Sequence, residues 1–297
     1  MKLISILGQT CSGKSVMAID LAKKLGDVWI LNCDSRQVYK RLDIGTAKIS
    51  GGWINGVFMC ENVSHFLIDY VNPKKKISIV DYVQDYISLI QNSPNLPDYL
   101  ILTGGSGLYA KAILDQYQFG IVKDEFAKEY DKLKLNLQTK SVTELQTSLP
   151  NNDLDQSGYH NPPRLINSIL QQTAQKNDWI TTLDYPQFEQ IFSFAIRVDQ
   201  TILKQRITDR IYERLEAGLM NEVENLSDLG TMRVLDLGLE YRVTQLNLLG
   251  CFTREEYIDK MIQENWHYAK RQLTWLKRQN VVWIQNISDV LSVITEN

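Results

Sequence analysis

Apolar residues recur along the N-terminal third of the chain in two alternating rhythms. Leu3–Leu7 is a short run, interrupted only by Ser5, that stops at Gly8; its length and β-branched members predict a strand. From Ser15 to Leu25 the apolar positions Val16, Ile19, Ala22 and Leu25 fall one helical turn apart, predicting a helix that Gly26 ends. Val28–Leu31 predicts a second strand running into Asn32-Cys33-Asp34, Ile79–Ile90 a helix, and Tyr99–Thr103 a third strand closed by Gly104 and Gly105. No hairpin signal is read between these strands, so the alternation predicts a parallel sheet covered by helices on both faces. Ligands of such sheets gather at the carboxyl ends of the strands.

From about Asp115 to Gln190 the texture changes to Gln, Asn, Lys and Leu, with helical spacing over Phe126–Gln138 and Arg164–Gln172 and with Pro150, Pro162, Pro163 and Pro186 as punctuation. This predicts a helical insertion domain, residues 115–191, between two parts of one core, residues 1–114 and 192–297. Phe192–Val198 then reads as a strand returning to the sheet, Thr201–Leu226 and Arg254–Arg278 as long helices, and Val281–Ile284 as a last strand. The expected fold class is α/β: a P-loop-type parallel sheet flanked by helices, with a helical insertion domain.

Hydrophobic residues at 44% and charged residues at 23% exclude a disordered or fibrous chain. No apolar run approaches the ~20 residues of a membrane span, and the run after Met1-Lys2 is too short for a secretory signal. Four scattered cysteines, Cys11, Cys33, Cys60 and Cys251, form neither a zinc ribbon nor a disulfide framework, so a reducing cytoplasm is the expected setting. The formal charge of −3 argues against a non-specific polycation but allows a local basic stripe on an acidic chain. Lys74-Lys75-Lys76 is expected as a solvated loop.

Gly8-Gln9-Thr10-Cys11-Ser12-Gly13-Lys14-Ser15 fits G-x-x-x-x-G-K-[ST] between a predicted strand and a predicted helix. Glycines let the loop aim backbone N–H groups at one centre, the helix N-terminus adds positive partial charge, and Lys14 adds a full one. The Ser15 hydroxyl is placed to ligate Mg²⁺. The motif predicts a bound di- or triphosphate without saying which, and without implying hydrolysis. Asp34, at the end of the second strand, has two readings: a carboxylate that accepts a proton or holds metal-bound water, or a surface cap of the next helix. Gly104-Gly105-Ser106-Gly107 predicts a second glycine-rich wall at the same edge.

These segments resemble the motif series of the tRNA dimethylallyltransferases. The resemblance rests on Gly8–Ser15, Asp34-Ser35-Arg36-Gln37-Val38-Tyr39, Leu42–Lys48 and Gly104–Tyr109, and further on Ser64–Asp69, Asn161-Pro162-Pro163-Arg164-Leu165, Gln205-Arg206-Ile207 with Arg210, and Tyr268–Leu276. It implies transfer of a dimethylallyl group from its diphosphate to the exocyclic amine of the adenine next to the anticodon, with tRNA and dimethylallyl diphosphate as partners, Mg²⁺ as cofactor, a monomeric chain and no membrane. By the same resemblance Lys14, Thr10 and Arg210 stabilise the departing diphosphate together with the loop Gly8, Gln9, Thr10, Cys11, Ser12, Gly13 and Ser15. Asp34 is the matching general base. Asp34, Ser35, Arg36, Gln37, Ser106, Pro162, Pro163 and Arg164 match segments that line the tRNA.

Read alone, Arg206 and Arg210 are an exposed basic helix face. Lys270-Arg271 and Lys277-Arg278, with Trp266, Tyr268 and Trp275, mix phosphate-binding charge with stacking surface, or else form an amphipathic packing helix with a solvated basic side. The chain departs from the family pattern at Gln9 (usually proline), at Cys11, in Leu237–Arg242 and at Trp266 (usually arginine). A P-loop small-molecule kinase, an isopentenyltransferase acting on free adenine nucleotides and an inactive RNA-binding protein are the competing readings.

Overall fold

Ile4, Ile101 and Ile30 lie side by side on three neighbouring strands, each almost wholly buried. Burying an aliphatic side chain fully is worth roughly 1.5–3 kcal/mol, and this row, covered by Ala18, Leu21 and Ala22 of the first helix, is the middle of the core. The computed structural model describes residues 1–149 and 156–295; Pro150 falls outside them. The chain divides into two compact units, Met1–Gln116 with Pro186–Asn297, and Tyr117–Tyr185.

The strands are β1 (Lys2–Leu7), β2 (Val28–Asn32), β3 (Gly52–Ile54), β4 (Val57–Cys60), β5 (Val63–Phe66), β6 (Tyr99–Gly104), β7 (Ile121–Val122), β8 (Ile180–Thr181), β9 (Gln190–Ile196) and β10 (Val282–Ile284). Eight of them form the sheet of the first unit in the order β10-β9-β1-β6-β2-β5-β4-β3. The six strands from β10 to β5 run parallel, as the alternation predicts. Strands β3 and β4 were not expected: they add an antiparallel edge. Their signal was present in Asn55-Gly56, a dipeptide that suits a two-residue hairpin because both residues take positive φ (50° and 83°).

The helices are α1 (Lys14–Leu25), α2 (Ile79–Gln91), α3 (Gly107–Leu114), α4 (Ala127–Gln138), α5 (Val142–Thr147), α6 (Gln156–Tyr159), α7 (Pro162–Lys176), α8 (Gln200–Glu216), α9 (Leu219–Glu224), α10 (Thr231–Asp236), α11 (Leu239–Leu248), α12 (Arg254–Leu276) and α13 (Ile287–Thr295). The single helix expected over Thr201–Leu226 is two, because Gly218 takes φ 98° and breaks the run between α8 and α9. Helix α12 starts at a capping box in which Thr253 and Glu256 satisfy each other's backbone amides. In the second unit α4, α5 and α7 pack around Leu137, Leu145, Leu165 and Leu170. That unit is not purely helical: β7 and β8 pair antiparallel.

The segment from Asp43 to Ile49, beside the carboxyl edge, is anchored by charge. Glu222 of α9 accepts the amides of Asp43, Ile44 and Gly45 at 2.9, 2.7 and 2.9 Å, and the Tyr241 hydroxyl at 2.7 Å. The Lys48 ammonium is buried between Asp69 and Asp43, at 2.7 and 2.6 Å. Lys74 and Lys76 are not bare either: they reach Asp228 and Asp236, at 3.6 and 2.9 Å, although such exposed pairs contribute little. Glu222→Ala strands three amides and a hydroxyl at once. It is expected to lower stability by about 2 kcal/mol or more, seen as a lower denaturant midpoint at unchanged slope, with Glu222→Gln losing clearly less.

Candidate active site

Strands β1, β2 and β6 all end at one edge. Strand β6 lies between β1 and β2, and all three deliver their following loops to the same cavity. That cavity measures about 310 Å³. Lys14, Ser15 and Arg210 line it together with Asp34 and Gln37, and its apolar lining includes Val16, Ile30, Ile49 and Ile68.

The loop Gly8–Ser15 folds as its sequence requires. Gly13 takes φ 90° ahead of α1, and a Cβ on Gly8 would meet the Ser12 hydroxyl at 2.6 Å. Lys14 donates to the Gln9 carbonyl at 2.7 Å. Burial pushes its pKa down to about 8, with Asp34 pulling the other way and Arg210 adding to the depression. Arg210 donates to the Thr10 hydroxyl; its own pKa is lowered by burial and then by Arg214. The Arg210 Nε and the Ser12 hydroxyl are buried without a protein partner. Arg206, one turn earlier and exposed, reaches the Cys11 carbonyl at 3.5 Å. Behind Arg210 the buried Arg214 is neutralised by Glu240 at 2.9 Å. The result is an anion cradle: concentrated positive charge, unpaired donors and, among the described residues, no carboxylate in direct contact with Lys14.

Asp34 caps a turn and not the helix that its second reading expects after it. Its Oδ1 accepts the Arg36 amide at 2.9 Å and so caps the turn; Oδ2 lies against Gly105, where a Cβ would come within 3.1 Å of it. Asn32 brackets it, accepting the Asp34 amide at 3.1 Å and donating to the Leu67 carbonyl at 2.8 Å. Ser106 ties the two turns together, accepting the Ser35 amide at 2.9 Å and donating to the Ser35 hydroxyl at 3.1 Å. Gln37 lines the cavity while its amide donates to the carbonyls of Thr46 and Ala47. Arg36 turns away from the cavity, donating to the Asp236 carbonyl and packing along Gly238.

The donor set fits a magnesium ion that arrives with phosphate. Among the described residues no cluster of three or more His, Cys, Asp or Glu could hold a metal alone. Ser15 and Asp34 do share the cavity with the loop, and Mg²⁺ typically takes one or two protein oxygens, substrate phosphates and water.

Helix α12 lines the cavity with Tyr268, which the sequence reading singled out as an aromatic of its motif, and with Gln272, to which that reading gave no role. Gln272 and Tyr268 line it and both donate to the Gly105 carbonyl, at 2.8 and 3.1 Å. The Trp275 ring occupies the space a Cβ on Gly107 would need. Lys270 and Arg271 are exposed on the outer side, over the rings of Trp266 and Tyr268 at 5.2 and 5.8 Å. Pro162, Pro163 and Arg164 form the first turn of α7 in the second unit, capped by Asn161.

Fold and cavity define a P-loop-type α/β protein whose cavity sets a buried lysine and arginine beside a carboxylate. The model of the IPP transferase family matches residues 37–279, and the chain belongs to that family. It is similar to tRNA dimethylallyltransferase 2 of Shewanella sediminis, 30% identical over 97% of this chain and 94% of the relative. It is similar also to tRNA dimethylallyltransferase 2 of Phocaeicola vulgatus, 33% identical over 93% and 88%. The crystal structure of the full-length tRNA isopentenylpyrophosphate transferase of Bacillus halodurans superposes with a TM-score of 0.67, at 26% identity over 99% of this chain and 96% of that one.

Because Lys14 is depressed to about 8 in the free protein, an anion beside it restores its charge. Binding of inorganic diphosphate near pH 8.5 is therefore expected to take up protons through Lys14, and affinity to fall as pH rises past that value. Calorimetry in buffers of different ionisation enthalpy measures this. The part of the uptake lost in Lys14→Met separates the lysine from the titration of the ligand, and no difference between the two proteins would remove Lys14 from the cradle.

Proposed function

We propose that this transferase moves a dimethylallyl group from dimethylallyl diphosphate to the exocyclic amine of the adenine 3′-adjacent to the anticodon in tRNA. The observation that carries the reading is one cavity that combines a phosphate loop, a carboxylate across from it and an apolar lining. The curated relatives named tRNA dimethylallyltransferase support the same activity.

In this reading the allylic C–O bond breaks and its electron pair leaves with the diphosphate. Lys14, the loop amides, Arg210 and the Thr10 hydroxyl meet that charge in positions set before the reaction, which is where such groups act most strongly. Ser15 holds Mg²⁺, which when bound supplies further charge neutralisation at the diphosphate oxygens. The adenine amine attacks the allylic carbon as its proton passes to the Asp34 carboxylate. An adenine in a stacked loop reaches such a cavity only by flipping out, at a cost of a few kcal/mol; Ser35, Arg36, Gln37 and Ser106 in the first unit, and separately the Pro162–Arg164 turn in the second, are the proposed tRNA contacts.

Incubating the protein with dimethylallyl diphosphate, Mg²⁺ and either tRNA or AMP decides the acceptor. Prenylated adenine in tRNA alone is expected; product with AMP alone would make this an enzyme of free nucleotides. Asp34→Asn keeps the shape and removes the base, so kcat should fall roughly 10²–10⁴-fold with donor binding nearly unchanged. Wild-type turnover in that variant would leave Asp34 as the cap of its turn.

Lys270 and Arg271 are proposed to touch tRNA phosphates. Replacing both by Gln should weaken tRNA binding and flatten the dependence of log K on log salt by about 0.7–0.9 per lost contact. Stability should change by less than about 1 kcal/mol, the scale of an exposed cation–π pair. An unchanged slope would return this face of α12 to packing.

A further inference from the structure

Gln272 is a polar side chain on the inward side of α12, 7% exposed. Its Oε1 accepts the Thr10 amide hydrogen at 2.7 Å and its Nε2 donates to the Gly105 carbonyl at 2.8 Å. Neither end can be exchanged: a backbone N–H meets only an acceptor and a carbonyl only a donor. One side chain therefore joins the phosphate loop after β1 to the glycine turn after β6. The same Gly105 lies against Asp34 Oδ2, so a Cβ there would come within 2.9 Å of Gln272 Nε2 and 3.1 Å of the carboxylate.

Thr10 is thereby fixed from several directions. Its hydroxyl takes the Arg210 hydrogen bond, and its amide is committed to Gln272. The preceding Gln9, 2% exposed, donates to the Ala269 carbonyl on the turn of α12 before Gln272, at 2.9 Å, and accepts from Gln200 at 3.2 Å.

We infer that Gln272 is a positioning residue for the transfer, setting the separation between the leaving-group cradle and the Asp34 carboxylate through Thr10 and Gly105. The inference rests on the proposed prenyl transfer. Displacing a reacting group by about 1 Å can cost on the order of 10² in rate, and a strap of two hydrogen bonds between the walls of the cavity guards against that displacement. Gln272 has no part in binding tRNA in this scheme.

Two substitutions separate positioning from simple packing. Gln272→Met keeps the volume and loses both bonds; kcat should fall about ten- to a hundredfold, with the Kd for tRNA within about twofold of wild type. Gln272→Glu offers an acceptor alone when ionised, and its charge opposes the Gly105 carbonyl. When protonated it regains both an acceptor and a donor. The ratio of its kcat to that of wild type should therefore climb as pH falls from about 8 to about 6, toward the range where carboxyls protonate, while the ratio for Gln272→Met stays flat. Titrations common to both enzymes cancel in that ratio. Amide exchange at Thr10, slow in wild type and fast in Gln272→Met, reads the strap without any turnover.

A wild-type protein that does not prenylate tRNA would overturn the transfer reading, and the exchange measurement would still test the strap. In an active enzyme, a pH-flat ratio for Gln272→Glu or wild-type kcat in Gln272→Met would overturn the inference. So would equal exchange at Thr10 in the two proteins.

Discussion

The Lys14 ammonium is enclosed with a neutral carbonyl as its direct partner, and the rest of the site follows from keeping it so. An unpaired cation inside a protein is costly, which is why burial depresses Lys14 and Arg210 alike. The cost is carried by features that compete with no incoming anion. The Gln9 carbonyl orients Lys14 without neutralising it, and Glu240 neutralises Arg214, one turn behind Arg210, rather than Arg210 itself. A carboxylate in direct contact with Lys14 would stabilise the free protein and cancel the attraction for a phosphate. Asp34 is near enough to influence Lys14, yet its Oδ1 is committed to the Arg36 amide.

Such a site holds its shape only if the loops that build it are tied to one another. Strands β1, β6 and β2 deliver them, and parallel pairing fixes their register. Beyond the strand ends side chains take over: Ser106 to Ser35, Tyr268 and Gln272 to Gly105, Gln9 to Ala269. Glycines at 105 and 107 let these partners approach closely, leaving no room for a Cβ beside Asp34 or under Trp275. The apolar core beneath stays intact because these polar ties sit above it at the carboxyl edge.

The alternation of strand and helix, the phosphate loop and Asp34 were legible because each is local: period, spacing and residue type coincide within a few positions. The hairpin of β3 and β4 was equally local and was missed, since Asn55-Gly56 was not weighed as a turn. The break at Gly218 was hidden because a glycine inside a helical period reads as tolerated until its φ is known. Gln272 lay beyond local reading altogether. Its partners are 262 and 167 residues away, and nothing in Lys270–Leu276 marks one glutamine as facing two loops. Among the aromatic residues of α12, Tyr268 and Trp275 face the β6–α3 turn, so these two pack within the protein.

The short ladder of β7 and β8 has a consequence for how the insertion is built. Antiparallel pairing of Ile121–Val122 with Ile180–Thr181 brings the outgoing and incoming chain to one strand spacing, about 4.8 Å. The pairing continues on both sides of the ladder: Lys123 donates to the Trp179 carbonyl at 2.8 Å, and Gln118 accepts the Leu183 amide at 2.9 Å. Closing a loop grows costlier only logarithmically with its length, and here the paired segments set the end-to-end distance whatever the loop contains. The insertion can thus lengthen, shorten or change its helices while its two ends stay one strand apart. Its sequence answers mainly to its own small core around Leu137 and Leu165, where the sequence around Gly8–Ser15 is bound to the geometry of one cavity.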